Sequence, residues 1–412
     1  MDGGIIFERC CGLDVHKLTV VATVLVVEGG ATRSTTKTFG TTTKDLLELS
    51  DWLAEEKVTH VAMEATGVLW KPVWNILESR CIVLLDNPGR LAKVPGRKTD
   101  VTDSQWIAHL LQVGHLHGSF IPPLEIRELR DLTRQRVQLL NDRTSAINRL
   151  HKILQDANIK LSSVASDIMG VSGRAMIKAM IAGENDPKTL AELARQRLRG
   201  KIPQLRQVLH GHISDHHRFM LNFHMDQIES LEGLIERLES RMDEACRPLG
   251  REIRLLMTIP GVSLRSAQSI LAEIGADMSR FASARNLASW AGICPGNNSS
   301  ANVKKRGRIL MGNHWLKRVL AECAWAAARN NDGYLRAQFK RFAPRKGKKR
   351  AIIAVAHSIL IAIHHMLSEG VPFIDLGADY FDQTNKPQLI RYHTKRLEQL
   401  GLKVTLESAA SA

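Results

Sequence analysis

The hydrophobic period of this chain changes in a fixed order over its first 113 residues, and that order restricts the folds available to it. Three runs rich in β-branched residues, Cys10–His16, Leu18–Val27 and Thr32–Phe39, read as strands, with Gly29-Gly30 breaking the last two apart. A helical pattern follows from Thr43 to Glu56, then a short strand at Thr59–Met63 and a helix near Trp70–Ser79. A strand at Cys81–Leu85 and a helix over 101–113 complete the region. A block of strands followed by alternating units predicts a mixed sheet with helices on its faces.

That succession, β-β-β-α-β-α-β-α, is the order of the RNase H-like fold, and residues 1–118 are assigned to such an α/β domain. The remainder is all-α in character. Residues 119–250 are expected to form a helical, oligomerising middle, 251–370 a mainly helical C-terminal domain and 371–412 a weakly structured tail. In the middle, Leu140, Ile147 and Leu154 recur at helical spacing. Ile228, Leu231, Ile235, Leu238, Met242, Ala245 and Leu249 alternate three and four apart, as in a coiled-coil seam. Such a seam either joins subunits or closes an intramolecular helical hairpin. Further on, Arg254–Gly275 reads as helix, Pro-Gly-Val turn, helix, with Ser263 capping the second helix. This helix-hairpin-helix-like element, with Gly261 in its turn, suits a phosphate. Helices over 313–329 and 350–368 follow. Between them, Lys340–Arg350, with Arg345, Lys346, Lys348 and Lys349, is expected to be a loop tracking a phosphate backbone.

A net charge of +15 over 412 residues favours a polyanionic partner, DNA or RNA. With only three Tyr, recognition of RNA by backbone and shape is expected over base stacking. The six cysteines lack CxxC spacing, which fits thiols in a reducing cytoplasm rather than a zinc site. No N-terminal signal peptide is read, and no run is expected to approach the roughly 20 apolar residues of a membrane span. No membrane partner is expected.

Four acids carry the chemistry. Asp14 lies inside an apolar strand, where a carboxylate is costly unless paired or holding a metal. Glu64 ends the run before Ala65-Thr66-Gly67, at a strand's C-terminal end. Asp100 and Asp103 share one face of a helix's first turn, where dipole compensation is the plainer role. Together the four match a site for Mg²⁺ ions bridging a scissile phosphate, with Arg97 and Lys98 near to neutralise it. His16 and Lys17 are close in sequence, but a lone His after a strand is more often structural. A second, polar and basic segment, Ala291–Arg308, holds Ser299 and Ser300, followed by Lys304, Lys305, Arg306 and Arg308. On residue types alone it is a phosphate-binding loop. A serine nucleophile needs an activating group; the segment supplies none, and His314 is the nearest His in sequence.

The segments Gly12-Leu13-Asp14-Val15-His16-Lys17, Met63-Glu64-Ala65-Thr66-Gly67 and Lys98-Thr99-Asp100-Val101-Thr102-Asp103 resemble the DEDD motifs of the IS-one-ten family of insertion-sequence transposases. Ile259-Pro260-Gly261-Val262, Ala288-Ser289-Trp290-Ala291-Gly292-Ile293, Pro295 and Gly307-Arg308-Ile309 resemble its C-terminal motifs, in the same order. The resemblance implies a RuvC-like domain joined to a transposase domain. It also implies an RNA-guided recombinase acting on target and donor DNA through a bridge RNA, as a dimer or tetramer associated with the bacterial or archaeal nucleoid. The four carboxylates would bind Mg²⁺. A serine, by position Ser300, would form a covalent link to DNA in a site shared between subunits. The family's Gly after this serine is Ala301 here, which leaves Ser299 as the neighbouring candidate. The main alternative is a metal-dependent nuclease or junction resolvase acting by hydrolysis. An actin-like ATPase or sugar kinase would need a Gly-rich loop after the first strand, where none is found. A non-catalytic nucleic-acid scaffold runs against the intact carboxylates.

Overall fold

The computed structural model describes residues 5–86, 100–116, 118–294, 299–300, 303–304, 312–329 and 333–406. The chain divides into two compact units, Met1–Ile121 and Pro122–Ala412. The first is built on a five-stranded sheet of order β3-β2-β1-β4-β5. Its strands are β1 (Arg9–Val15), β2 (Thr19–Glu28), β3 (Ala31–Gly40), β4 (His60–Glu64) and β5 (Ile82–Asp86). The first three form an antiparallel meander, whereas β4 runs parallel to β1 and β5 parallel to β4. β2 is buried almost throughout, as befits a strand covered on both faces. β3, rich in Thr and carrying Arg33 and Lys37, is a polar edge.

Two helices cover one face. α1 (Thr43–Glu55) starts at a capping box between Thr42 and Asp45 and buries Leu46, Leu49 and Leu53. α2 (Trp70–Leu77) adds Val73 and Leu77, and these residues pack with Leu13, Val15, Met63 and Leu85 from the sheet. The opposite face carries α3 (Asp100–Gln112), whose Ile107, Ala108 and Leu111 pack with Cys10, Leu25 and Ala62. α3 lies unusually close to β1. A Cβ on Gly12 would stand 2.3 Å from both the Ser104 carbonyl oxygen and the Ala108 nitrogen. Buried hydroxyls fix its position further: Thr23 Oγ1 lies 2.8 Å from Ser104 Oγ and 2.8 Å from Thr36 Oγ1. Gly12→Ala must push α3 away from the sheet, because its neighbours are backbone atoms. The variant is expected to lose about 2 kcal/mol of unfolding free energy or more in urea denaturation.

The second unit is helical. α4 (Leu124–Asp156), α5 (Val171–Ile181), α6 (Pro187–Glu192), α7 (Ile202–Val208) and α8 (Asp215–Ala245) share a core that includes Leu150, Leu154, Met176, Leu205 and Ile228. α8 lies along α4 in the same chain, and ion pairs Arg136–Glu239 (2.5 Å) and Arg143–Glu232 (2.6 Å) link the two helices. The 3-4 stripe is thus used within the chain: Ile228 and Met242 are buried, whereas Leu231, Ile235 and Leu238 remain half-buried. The intramolecular hairpin, one of the two expected uses of the stripe, accounts for these contacts.

Beyond it come α9 (Gly250–Met257), α10 (Leu264–Ile274), α11 (Ala284–Trp290), a small ribbon of β6 (Ser299–Ser300) and β7 (Val303–Lys304), and α12 (His314–Arg329). Ser263 caps α10 through the Ser266 N–H, as expected. α13 (Tyr334–Lys346) and α14 (Lys348–Glu369) follow. The expected loop at 340–350 is corrected to two helix ends meeting at Gly347, which has φ +81°. Pro344 falls in the last turn of α13, where it has no N–H to give to the carbonyl four residues back, and the helix ends at Lys346. The tail also differs from expectation: α15 (Tyr380–Thr384) and α16 (Lys386–Gln399) form there. Phe381 stacks on Tyr334 of α13 with ring centres 5.2 Å apart, and Arg341 lies over the Phe381 ring. α14 is the one described helix long and apolar enough to cross a membrane by length and composition, which corrects the expectation of no such stretch. It buries Ile352, Val355, Ile359, Leu360 and Ile363 within this unit.

Candidate metal centre

The sheet register gathers the N-terminal acids. Leu13 pairs with Met63, and Glu64 pairs with Asp86. One residue beyond Leu13 and Met63, Asp14 and Glu64 are therefore neighbours, and Asp14, Glu64 and Asp86 form a row across three parallel strands. Side chains alternate along a strand. Ala62, two residues before Glu64, packs in the layer beneath α3. The row therefore points to the α3 face, where Asp100 and Asp103 occupy the first turn of that helix. The close approach at Gly12 brings that turn against β1.

His16 joins the cluster. Its Nε2 lies 3.1 Å from Asp14 Oδ2 and 3.5 Å from Asp100 Oδ1. One ligand atom from each of Asp14, His16 and Asp100 lies within 4.8 Å of the others. Burial pushes the Asp14 carboxyl above its ordinary range, and the charges of Asp100 and Asp103 push it further, while His16 opposes them. A buried carboxylate beside two more is a costly arrangement unless a cation joins it. The oxygen-rich donor set fits a hard divalent ion.

Sequence reading missed two members of this cluster. Asp86, 4% exposed, ends an apolar strand in the same manner as Glu64 ends β4, and that parallel was the available signal. In the sequence His16 reads as structural, because its proximity to Asp100 depends on a helix more than 80 residues away. Arg97 and Lys98 lie outside the described residues.

The serine segment belongs to the second unit. Ser299 pairs with Lys304 and Ser300 with Val303 across the β6–β7 ribbon. Lys305, Arg306 and Arg308 lie outside the described residues. The chain is pinched where it enters and leaves this segment. A Cβ on Gly312 would lie 2.3 Å from the Gly292 nitrogen, so the two ends meet in backbone contact. The next residue, Asn313, donates from Nδ2 to Glu273 Oε2 at 2.6 Å and accepts the Leu316 N–H on Oδ1. Glu273 is 2% exposed. Arg134 grips it with two hydrogen bonds of 2.8 and 2.9 Å. Arg130 donates to its backbone carbonyl at 2.7 Å. Burial brings the Arg130 guanidinium down to about 10, with Glu273 opposing that shift. Removing the carboxylate strands two cations, so Glu273→Ala is expected to cost about 3 kcal/mol or more in chemical denaturation.

Arg345, Lys346, Lys348 and Lys349 are all exposed around Gly347. Gly261 has φ +88°, and a Cβ there would stand 2.5 Å from the Cys323 carbonyl oxygen of α12. Turn geometry and close packing already call for glycine at that position.

Comparisons with known proteins divide along the same lines. A transposase family model of the DEDD IS110 kind matches residues 11–159, the stretch that contains Asp14, His16, Glu64, Asp86, Asp100 and Asp103. A second model, described as transposase IS116/IS110/IS902 family, matches residues 253–340, which contain Ser300. A putative transposase of Sinorhizobium fredii is 26% identical over 280 residues, 66% of this chain and 56% of that protein. The chain thus spans little more than half the length of that relative. A probable family 20 transposase of Pseudomonas aeruginosa is 23% identical over 65% of this chain and 71% of its own length. A pilin gene-inverting protein of Moraxella bovis is 31% identical over 31% of this chain and 41% of its own length.

Proposed function

The chain belongs to the IS116/IS110/IS902 family of transposases, and from that premise we propose that it is a DNA recombinase that cuts and rejoins strands through a carboxylate-held divalent metal and a serine. The observation that carries this reading is the meeting of Asp14 and His16, at the end of β1, with Asp100 of α3 inside the region matched by the DEDD model. The strand order and the acids ending β1 and β4 support reading the first unit as RNase H-like, of the RuvC type. The pilin gene-inverting relative supports recombination over simple degradation.

Asp14, Glu64, Asp100 and Asp103 would hold a divalent metal; the four carboxylates taken alone would suit Mg²⁺. A bound divalent cation supplies charge stabilisation at the phosphate. In the proposed step the Ser300 hydroxyl oxygen attacks phosphorus, forming a serine–phosphate ester as the bond to one sugar oxygen breaks. The serine proton leaves with that oxygen, giving a hydroxyl end. Attack by a hydroxyl end of another strand reverses the step, joins the DNA and frees the serine. The site is proposed to be shared between protomers, as the resemblance implies. Half-buried Ile235 and Leu238 on α8 leave apolar surface that a dimer would cover. Target and donor DNA, a bridge RNA and a dimer or tetramer complete the proposal. Lys304, Lys305, Arg306, Arg308, Arg345, Lys346, Lys348 and Lys349 would bind nucleic-acid phosphates, with the Gly261 turn as a further contact.

The test is denaturing electrophoresis of end-labelled DNA incubated with protein, guide RNA and Mg²⁺. A protein-linked band that protease removes supports the serine pathway. Cut DNA with no attached protein supports the hydrolytic nuclease, which would use the same carboxylates.

A further inference from the structure

Building on the metal-dependent reading above, we propose that His16 is itself a ligand of the cation held by Asp14 and Asp100, and that its imidazole gives the site a preference for Mn²⁺ over Mg²⁺. The DEDD acids supply only oxygen donors, so a nitrogen donor changes which metals the site selects.

Backbone geometry explains why His16 can reach the site. Val15 and Val20 are the last paired residues of β1 and β2, and the His16 N–H donates to the Thr19 carbonyl at 2.9 Å. His16 is thereby held at the mouth of a tight hairpin, two residues beyond Asp14. That spacing returns its side chain to the Asp14 face. Its partner Asp100 comes from α3, far away in sequence, so local turn chemistry does not account for their meeting.

The distances suit coordination. In an octahedral site with bonds of about 2.1 Å, adjacent ligand atoms stand about 3.0 Å apart. Nε2 stands 3.1 Å from an Asp14 oxygen and 3.5 Å from an Asp100 oxygen. All three ligand atoms lie within 4.8 Å of one another, so a cation among them would draw them together. The His16 side chain is 46% exposed and that of Asp100 60%, which leaves an open side for water or a phosphate oxygen. Mg²⁺ favours carboxylate, carbonyl and water oxygens, whereas imidazole suits first-row transition ions. Two carboxylates and one imidazole therefore favour Mn²⁺, which accepts both donor types. The competing role for His16 is a hydrogen-bonding neighbour that neutralises the carboxylates and takes no part in binding the ion.

Pulsed electron paramagnetic resonance on the full chain loaded with Mn²⁺ separates the two roles. Ligation predicts nitrogen modulation in the wild-type echo and its loss in His16→Ala. Losing a residue that only supports a ligand already weakens metal affinity about 10- to 100-fold. The direct ligand His16 is therefore expected to cost Mn²⁺ affinity at least about tenfold, while Mg²⁺ affinity, read by competition, falls less. Bound Mn²⁺ without nitrogen modulation in the wild-type protein overturns the assignment of His16 and leaves the carboxylate centre standing. Mn²⁺ bound equally well by Asp14→Asn overturns the carboxylate centre and this inference together.

Discussion

Asp14→Asn is expected to lower DNA strand cleavage about a thousandfold and, in metal-free protein at neutral pH, to raise the thermal midpoint. The first effect follows from losing a carboxylate proposed to hold the cation, a loss of about 4 kcal/mol in transition-state stabilisation. The second follows from the same geometry with opposite sign. Folding raises the Asp14 carboxyl above its ordinary value of 3.8, chiefly by burial and then by Asp100 and Asp103. The folded state therefore holds this proton more tightly than the unfolded chain. Stability that is intact below the ordinary value is lost as pH rises through the raised folded value. Asparagine carries no charge and escapes that loss. The two proteins should have similar midpoints in acid and diverge as pH rises, with the variant the higher at neutrality. Saturating divalent metal should raise the wild-type midpoint and leave the variant unchanged. Calorimetry across pH, with and without metal, checks this. A variant less stable at neutral pH than the wild type would remove the electrostatic cost assigned to the cluster.

Local signals carried most of the first unit. Its strands are short, β-branched and bounded by turn residues, so each lies within a residue or two of where the sequence sets it. Asp14 and Glu64 were legible because an acid at the end of an apolar strand is conspicuous. Asp86 has the same signature and was passed over, since only the register Glu64↔Asp86 shows that the third acid continues the row. His16 illustrates the complementary limit: nothing within the β1–β2 hairpin reveals that Asp100 will stand over it. In the second unit, periodicity identified the stripe on α8 but not its partner, because a 3-4 pattern fits a neighbouring helix equally well from the same chain or another. At 340–350, dense charge with Pro and Gly read as a loop. Yet α13 runs on past Pro344 to Lys346, and Gly347 separates two helices without an intervening loop. The Glu273 network was invisible for a related reason: its arginines come from α4 and its asparagine from beyond the serine segment.

Ser300→Ala is expected to abolish the covalent protein–DNA adduct, leave DNA retention within about twofold, and change stability by less than about 0.5 kcal/mol. A serine ester to phosphorus needs the hydroxyl oxygen, and alanine offers no substitute atom. The substitution removes one oxygen from a ribbon whose backbone pairing, Ser300 with Val303, needs no hydroxyl. The neck formed by Gly292 and Gly312 and the anchorage of Asn313 on Glu273 are untouched by it. Loss of the adduct together with loss of folding would therefore contradict the account. Ser299→Ala, one residue away on the same strand, is expected to retain adduct formation; its loss there instead would move the nucleophile by one position.

The central claim joins the carboxylate centre to this serine in one reaction, and mass spectrometry of the DNA-linked peptide tests it most directly. Protein is incubated with DNA, guide RNA and divalent metal, then digested with nuclease and protease. The account predicts a nucleotide remnant esterified to Ser300, formed only with metal and absent from Asp14→Asn. Cleaved DNA bearing no peptide, or a remnant on a residue other than Ser300, would contradict it.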